Sequence, residues 1–130
     1  MDHTIIHFEI PANNAQKLSE FYSNLFNWKF VHSPVEGMDY WIILTVPVDD
    51  KGNTLRFGVN GGMFTKSPEQ KDFRPVNYIK VENIDESIKK VKHLGGNILV
   101  SKQHVPTVGF IAIGLDPEGN SFGLLQPESM

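Results

Sequence analysis

The pattern of apolar and polar positions begins with a strand and then a helix. Residues 3–10, HTIIHFEI, alternate and are rich in β-branched and aromatic side chains, which predicts a strand that ends at Pro11. Asn13 or Asn14 can cap the helix that follows, and Asn27 can adopt the left-handed conformation that ends it. The apolar residues of this helix recur at spacings of three and four, which predicts a stripe packed on a sheet: Ala15, Leu18, Phe21, Tyr22 and Leu25.

Further strand-like runs follow at 28–32, 40–46 and 56–60, separated by clusters of Gly, Pro and Asp. A polar, proline-bearing linker occupies 67–76. The second half then repeats the same order. NYIKVEN is a strand, IDESIKKVKHLGG is a helix with Gly95 and Gly96 at its end, and NILVSK, VGFIAIGLD and NSFGLLQ are three more strands. The chain therefore predicts an α+β fold made of two βαβββ modules, 1–66 and 77–130.

Neither module can bury both faces of a four-stranded sheet by itself, so we expect the modules to pack together or across a dimer. Helices would cover the outer faces, and the curled mixed sheets would surround a concave cavity. Alternation along the first strand sends Ile6, Phe8 and Ile10 toward the helix and leaves His7 and Glu9 for the cavity.

Composition narrows the possible functions. Twelve Lys and Arg against fifteen Asp and Glu give a net charge of −3 with the signs interspersed, which disfavours nucleic-acid binding. The chain has no cysteine, so disulfides, thiolate nucleophiles and cysteine metal sites are excluded. It shows neither a signal peptide nor an apolar run near the roughly 20 residues that span a bilayer. We therefore expect a cytoplasmic protein with no membrane partner.

The chain resembles the vicinal oxygen chelate superfamily, which includes glyoxalases and bleomycin-resistance proteins. The stretches that carry the resemblance are HFEIPANNAQKLSEFYSNLFNWKF, YIKVENIDESIKKVKHLGG and LDPEGNSFGLLQ. They cover nearly the whole chain in the order and spacing of that family. The resemblance implies βαβββ modules around a small-molecule site and a homodimer, but it leaves the activity open because one fold serves many functions.

Metalloenzymes of this family resemble one another in a four-ligand site, with one ligand from the first and one from the last strand of each module. Only His7 matches. The other positions fall within 60–62, on Tyr78 (or Asn77 if the register slips by one residue), and on Gly123. Since metal sites typically need at least three protein ligands, we expect no cofactor, and a divalent metal is disfavoured.

Six residues are candidates for ligand binding, and each has an ordinary structural alternative. His7 and Glu9 could act as acid and base, or His7 could be satisfied by a neighbour such as Tyr78. One of the pair Tyr40 and Trp41 faces the core and the other the cavity or solvent, although packing alone would also explain these aromatic residues. Arg56 could hold an anionic group or pair with Asp49 or Asp50, Glu9 could be exposed at the rim, and His104, in a loop at the cavity mouth, could be a surface histidine. The six candidates are therefore His7, Glu9, Trp41, Arg56, Tyr78 and His104.

Three functions fit this pattern. The leading hypothesis is a protein that binds a small organic molecule without a catalytic metal. The second is a glyoxalase-type lyase or isomerase that uses His7 and Glu9 as acid and base, or a divalent metal with His7. The third is a partner-binding protein whose cavity has collapsed onto Trp41 and Tyr78.

Overall fold

The computed structural model describes residues 2–34, 37–106 and 108–128, which form two compact units. The first unit comprises residues 7–75. Its strands are β1 (Ile5–Ala12), β2 (Lys29–His32), β3 (Tyr40–Leu44) and β4 (Gly61–Thr65), and its helix is α1 (Ala15–Phe26). The strand order is β2-β3-β4-β1, with β1 and β4 parallel and the other pairs antiparallel. A short 3-10 helix, Pro68–Gln70, follows.

The second unit comprises residues 76–128 together with 2–6, so the first two residues of β1 belong to it. Its elements are β5 (Val76–Lys80), α2 (Ile84–His93), β6 (Asn97–Val105), β7 (Gly109–Leu115) and β8 (Ser121–Pro127). The order is β5-β8-β7-β6, again with one parallel pair, β5 and β8. The predicted α+β class with two βαβββ modules is confirmed.

Local chemistry explains where both helices begin and end. The Asn14 side chain accepts a hydrogen bond from Lys17 N, and the Asn83 side chain accepts one from Glu86 N, so each helix starts at an asparagine cap. Asn27 adopts φ 61° directly after α1, and Gly95 adopts φ 96° after α2. Neither helix in the described ranges is long and apolar enough to cross a membrane.

Each unit buries an apolar layer between its helix and one face of its sheet. In the first unit, Ala15 of α1 packs with Ala12, Ile43 and Met63. In the second unit, Ile84 of α2 packs with Val81, Ala112 and Leu124. A further cluster in the second unit lies on the face away from α2 and includes Tyr78, Ile111 and Ile113.

The last strand of the first unit lies further along the chain than predicted. The expected strand at 56–60 is wrong: this segment is irregular, and β4 begins at Gly61. The reason is Asn60, whose side-chain oxygen accepts from Thr45 N at 2.7 Å and Val46 N at 3.0 Å. A side chain thus takes the bonds that a strand backbone would make, and the β3–β4 ladder stops at the Ile43–Gly61 pair.

Two packing predictions also need correction. Phe21 and Leu25 were expected on the buried stripe of α1, but both side chains are more than half exposed, while Ser19 is buried. The Ser19 hydroxyl can be buried because it donates to Gln16 O. Ile6 was expected to face a helix; instead it packs against the Tyr78 cluster, on the side away from α2.

Candidate functional site

Three strands of the first unit bring His7, Glu9 and Tyr40 to one face of its sheet. Glu9 pairs in register with Gly62, and Gly62 pairs with Ile42. Residues paired across strands project to the same face, and Tyr40 joins them because it lies two positions from Ile42 along β3. We call this side of the first unit's sheet the site face. Its opposite side packs on α1.

The three polar side chains on the site face are joined by short contacts. Tyr40 Oη donates a hydrogen bond to Glu9 Oε2 at 3.0 Å and lies 3.2 Å from His7 Nε2. His7 Nε2 is also 3.4 Å from Glu9 Oε2. A phenol has one proton, and here it is directed to Glu9, so the proton between Tyr40 and His7 lies on Nε2. The His7 nitrogen is therefore a donor toward this cluster.

Burial differs among the three groups. Tyr40 is 7% exposed, whereas the side chains of His7 and Glu9 are 16% and 15% exposed. Burial raises the pKa of Tyr40 far above its ordinary value, and the negative charge of Glu9 raises it further. Tyr40 is consequently protonated, and a neutral donor, at neutral pH.

A glycine makes room for the Tyr40 ring. A Cβ built on Gly62 would overlap the Tyr40 hydroxyl and the ring carbon that bears it. The absence of a side chain at position 62 therefore lets the phenol reach across β4 to Glu9.

Apolar side chains continue the site face beside this cluster. Val31 of β2 pairs with Ile42, which pairs with Gly62, which pairs with Glu9, so the four lie in one row across the sheet. Val31 is 46% exposed and Ile42 is 36% exposed. The site face thus combines hydrogen-bonding groups at one end of the row with an open apolar surface at the other.

The donor set of the first unit does not fit the family's metal site. Its last-strand position falls within residues 60–62, where the Asn60 side chain already bonds Thr45 and Val46 and the space over Gly62 is filled by Tyr40. Within residues 2–34, 37–106 and 108–128, no group of three or more His, Asp or Glu side chains is arranged to hold a metal ion. His7 and Glu9 supply two ligands, fewer than catalytic sites typically use.

The remaining candidates of the first unit lie away from this cluster. Trp41 is on the opposite face of β3, packed with the α1 cluster, and its ring stacks on His32 with centroids 4.5 Å apart. Arg56 is exposed in the irregular segment before β4. Of the four first-unit candidates, the structure brings His7 and Glu9 together.

Tyr78 and His104 belong to the second unit and lie on opposite faces of its sheet. Tyr78 pairs in register with Gly123, and its ring fills the space that a Cβ at Gly123 would need. His104 was expected in a loop but is part of β6, because it pairs with Phe110 of β7. Its Nε2 lies 2.9 Å from the Glu128 carboxylate, and its ring contacts Phe110 on the α2 side.

Tyr40 is the site residue that sequence reasoning did not select. The alternation of β3 requires Tyr40 and Trp41 to point to opposite faces, but it does not say which face each takes. Two neighbouring glycines, Gly61 and Gly62, were the available signal, because a large side chain on a neighbouring strand can lie over a glycine.

Sequence comparison identifies the family. Residues 4–124 match the sequence profile of the Glyoxalase/Bleomycin resistance protein/Dioxygenase superfamily. A glyoxylase-like domain-containing protein from Didymella fabae is 28% identical over 123 residues, which cover 89% of this chain and 88% of that protein. The chain therefore belongs to the glyoxalase/bleomycin resistance protein/dioxygenase superfamily.

Solved structures with the same fold include a hypothetical protein from Bacillus halodurans, with a TM-score of 0.72 and 13% identity over 100% of this chain and 98% of that one. Methylmalonyl-CoA epimerase from Mycobacterium tuberculosis gives a TM-score of 0.66 and 12% identity, covering 94% and 86% of the two chains. A Streptomyces coelicolor methylmalonyl-CoA epimerase in complex with 2-nitronate-propionyl-CoA gives a TM-score of 0.70 and 14% identity, and the alignment covers 98% of this chain and 96% of that one. At these identities the likeness concerns the fold.

Proposed function

We propose that this protein binds a small organic molecule on the site face of its first unit, without a catalytic metal. The observation that carries the proposal is the row formed by Glu9, Gly62, Ile42 and Val31, which places hydrogen-bonding groups beside an exposed apolar surface. Binding sites for small molecules commonly combine an apolar lining with a few directed polar groups. A planar ligand would lie on Val31 and Ile42 with its polar end at Glu9.

The charge of Glu9 determines which ligands suit this surface. An ionised carboxylate only accepts hydrogen bonds, so Glu9 favours ligands with an O–H or N–H group and repels anions. We therefore expect aromatic molecules with a neutral donor to bind more tightly than aromatic carboxylates. 4-Phenylphenol, biphenyl-4-carboxamide and biphenyl-4-carboxylate form a matched set of probes, because two rings in line reach across the roughly 10 Å, or two strand spacings, from β1 to β3.

Methyl NMR titration with these three probes tests the proposal. The phenol and the carboxamide should shift the methyl signals of Val31 and Ile42 saturably, and the carboxylate should bind more weakly. Glu9→Gln should reduce this preference, whereas Glu20→Gln on the exposed side of α1 should leave it unchanged. If none of the probes shifts Val31 or Ile42, or if Val31→Glu leaves the Ile42 shifts intact, the proposal is overturned.

An enzyme of lyase or isomerase type is the second candidate, favoured by the contacts of His7 Nε2 with a phenol and a carboxylate at 3.2 and 3.4 Å. Groups at these distances can relay a proton to or from a bound substrate. Calorimetric titration of chelator-treated protein with Ni²⁺, Zn²⁺, Mn²⁺ and Fe²⁺ distinguishes the candidates. Tight stoichiometric binding that is lost in His7→Ala would favour the metalloenzyme and overturn the metal-free proposal.

We also propose that the protein is a cytoplasmic homodimer. The dimer is supported by the family resemblance and by three large apolar side chains on α1 that are each more than half exposed: Phe21, Leu25 and Phe26. Sedimentation velocity at micromolar concentration should give a dimer. A monomer across the concentration range would exclude it.

A further inference from the structure

The second unit contains a groove of about 370 Å³ between α2 and its sheet. Ser87, Lys90 and Leu94 form part of the helix wall, at the spacing of one helix face. The groove lies on the α2 side of the sheet, away from Tyr78 and Gly123. It shares no residue with the site face of the first unit, so the inference below does not rest on the proposed function.

The floor of this groove is apolar. Val81 and Leu124 are almost fully buried beneath it, at 4% and 5% exposure, while Leu94 at the open edge is 74% exposed. Two other floor side chains are half-buried and equally apolar: Ile79 and Phe122. Covering such a floor is favourable by roughly 25 cal/mol per Å² of apolar surface, so an occupant should present a hydrocarbon part to it.

Charged groups at the rim favour an anionic end on that occupant. Among the described residues, Lys90 forms no ion pair with a carboxylate. The rim carboxylate, Asp116, is already engaged: it accepts from the backbone N–H groups of Asn120 and Glu118 and from the Asn120 side chain. The rim imidazole, His3, is anchored because its Nδ1–H donates to Lys80 O at 2.9 Å. Lys90 is thus the charge available to a ligand.

We infer that this groove is a second binding site, for an amphiphilic monocarboxylate whose chain lies on the floor and whose carboxylate pairs with Lys90. At about 30 Å³ per non-hydrogen atom, the groove holds roughly twelve such atoms. Decanoate, with ten carbons and two oxygens, has that size.

Titration of methyl-labelled protein with decanoate, below its micelle concentration, tests this inference. We expect saturable shifts of the Ile79, Val81 and Leu124 methyl signals, and weaker binding of decylammonium, which has the same chain and the opposite charge. Lys90→Gln should lower the affinity for decanoate about two- to fivefold, as expected for a partly exposed ion pair. Leu94→Asp at the open edge should lower the affinity for decanoate by at least about fivefold, because the substitution places a negative charge beside the decanoate carboxylate.

A neighbouring lysine supplies the control. Lys89→Gln removes the same charge from α2 at a position that does not line the groove, so it should leave decanoate affinity unchanged. Shifts confined to Val31 and Ile42 would place decanoate on the site face and overturn the inference. It is also overturned if Lys90→Gln and Lys89→Gln bind decanoate equally, or if decylammonium binds as tightly as decanoate.

Discussion

The Tyr40 phenol occupies the space above Gly62, so each of these residues depends on the other. Without a side chain at position 62, the phenol crosses β4 and reaches Glu9 on β1. The second unit repeats the arrangement, with the Tyr78 ring over Gly123. In both units a tyrosine ring thus lies over a glycine of the last strand.

Gly62→Ala should destabilise the protein by about 2–3 kcal/mol, because the added methyl overlaps a buried ring that cannot move freely. In a Tyr40→Leu background the same change should cost at least about 1 kcal/mol less, since the overlap is removed. Urea unfolding of the two single variants and the double variant measures this coupling. Equal costs in both backgrounds would contradict the packing described here.

Tyr40→Phe should lower the free energy of unfolding by about 1–2 kcal/mol, because it removes the donor to Glu9 while keeping the ring over Gly62. Tyr22→Phe is the matched control. Tyr22 stacks on Trp28 through its ring, and its hydroxyl makes none of the hydrogen bonds found among the described residues, so this change should stay within about 0.5 kcal/mol. Comparable losses in the two variants would argue against a special role for the Tyr40 hydroxyl.

Alkaline pH should weaken the fold through Tyr40. Burial, with the charge of Glu9, raises the folded-state pKa of this phenol above its ordinary value of 10.0. The folded state therefore keeps its proton where the unfolded chain loses it, and the contribution to stability is complete below about pH 10 and declines above it. The difference in unfolding free energy between the natural protein and Tyr40→Phe should shrink by up to about 1.4 kcal/mol per pH unit above pH 10. A difference independent of pH between 8 and 11 would exclude this coupling.

Asn60→Leu should lower the free energy of unfolding by about 2–3 kcal/mol, because it leaves the Thr45 and Val46 amides without their acceptor. Asn60→Asp should lower the unfolding free energy less, since it keeps the acceptor for both amides, although its second oxygen then faces Val46 O where the amide donated. Asn24→Ala, at an exposed position of α1, should have little effect. Thermal unfolding of the three variants tests this order, and an Asp variant as unstable as the Leu variant would contradict it.

Elements with local signals were predicted well. The asparagine cap of α1, its left-handed end at Asn27 and the glycine after α2 all depend on residues within a few positions, which the sequence displays directly. Alternation along β1 likewise assigned Phe8 and Ile10 to the helix side and His7 and Glu9 to the other. Errors arose where a distant residue intervened: Asn60 takes over the bonds of Thr45 and Val46, fifteen and fourteen positions away, and so delays β4.

The sequence by itself determined the α+β class, the two βαβββ modules and the family, because hydrophobic period, caps and turn residues act over short distances. The tertiary structure decided which aromatic residue of β3 faces the site, and it selected Tyr40 over Trp41. That choice depends on the register between β3 and β4, which brings Gly62 under the Tyr40 ring and Glu9 within reach of its hydroxyl. A tight turn would fix that register locally, but β3 and β4 are joined by the long irregular segment between Leu44 and Gly61, so their register depends on tertiary packing.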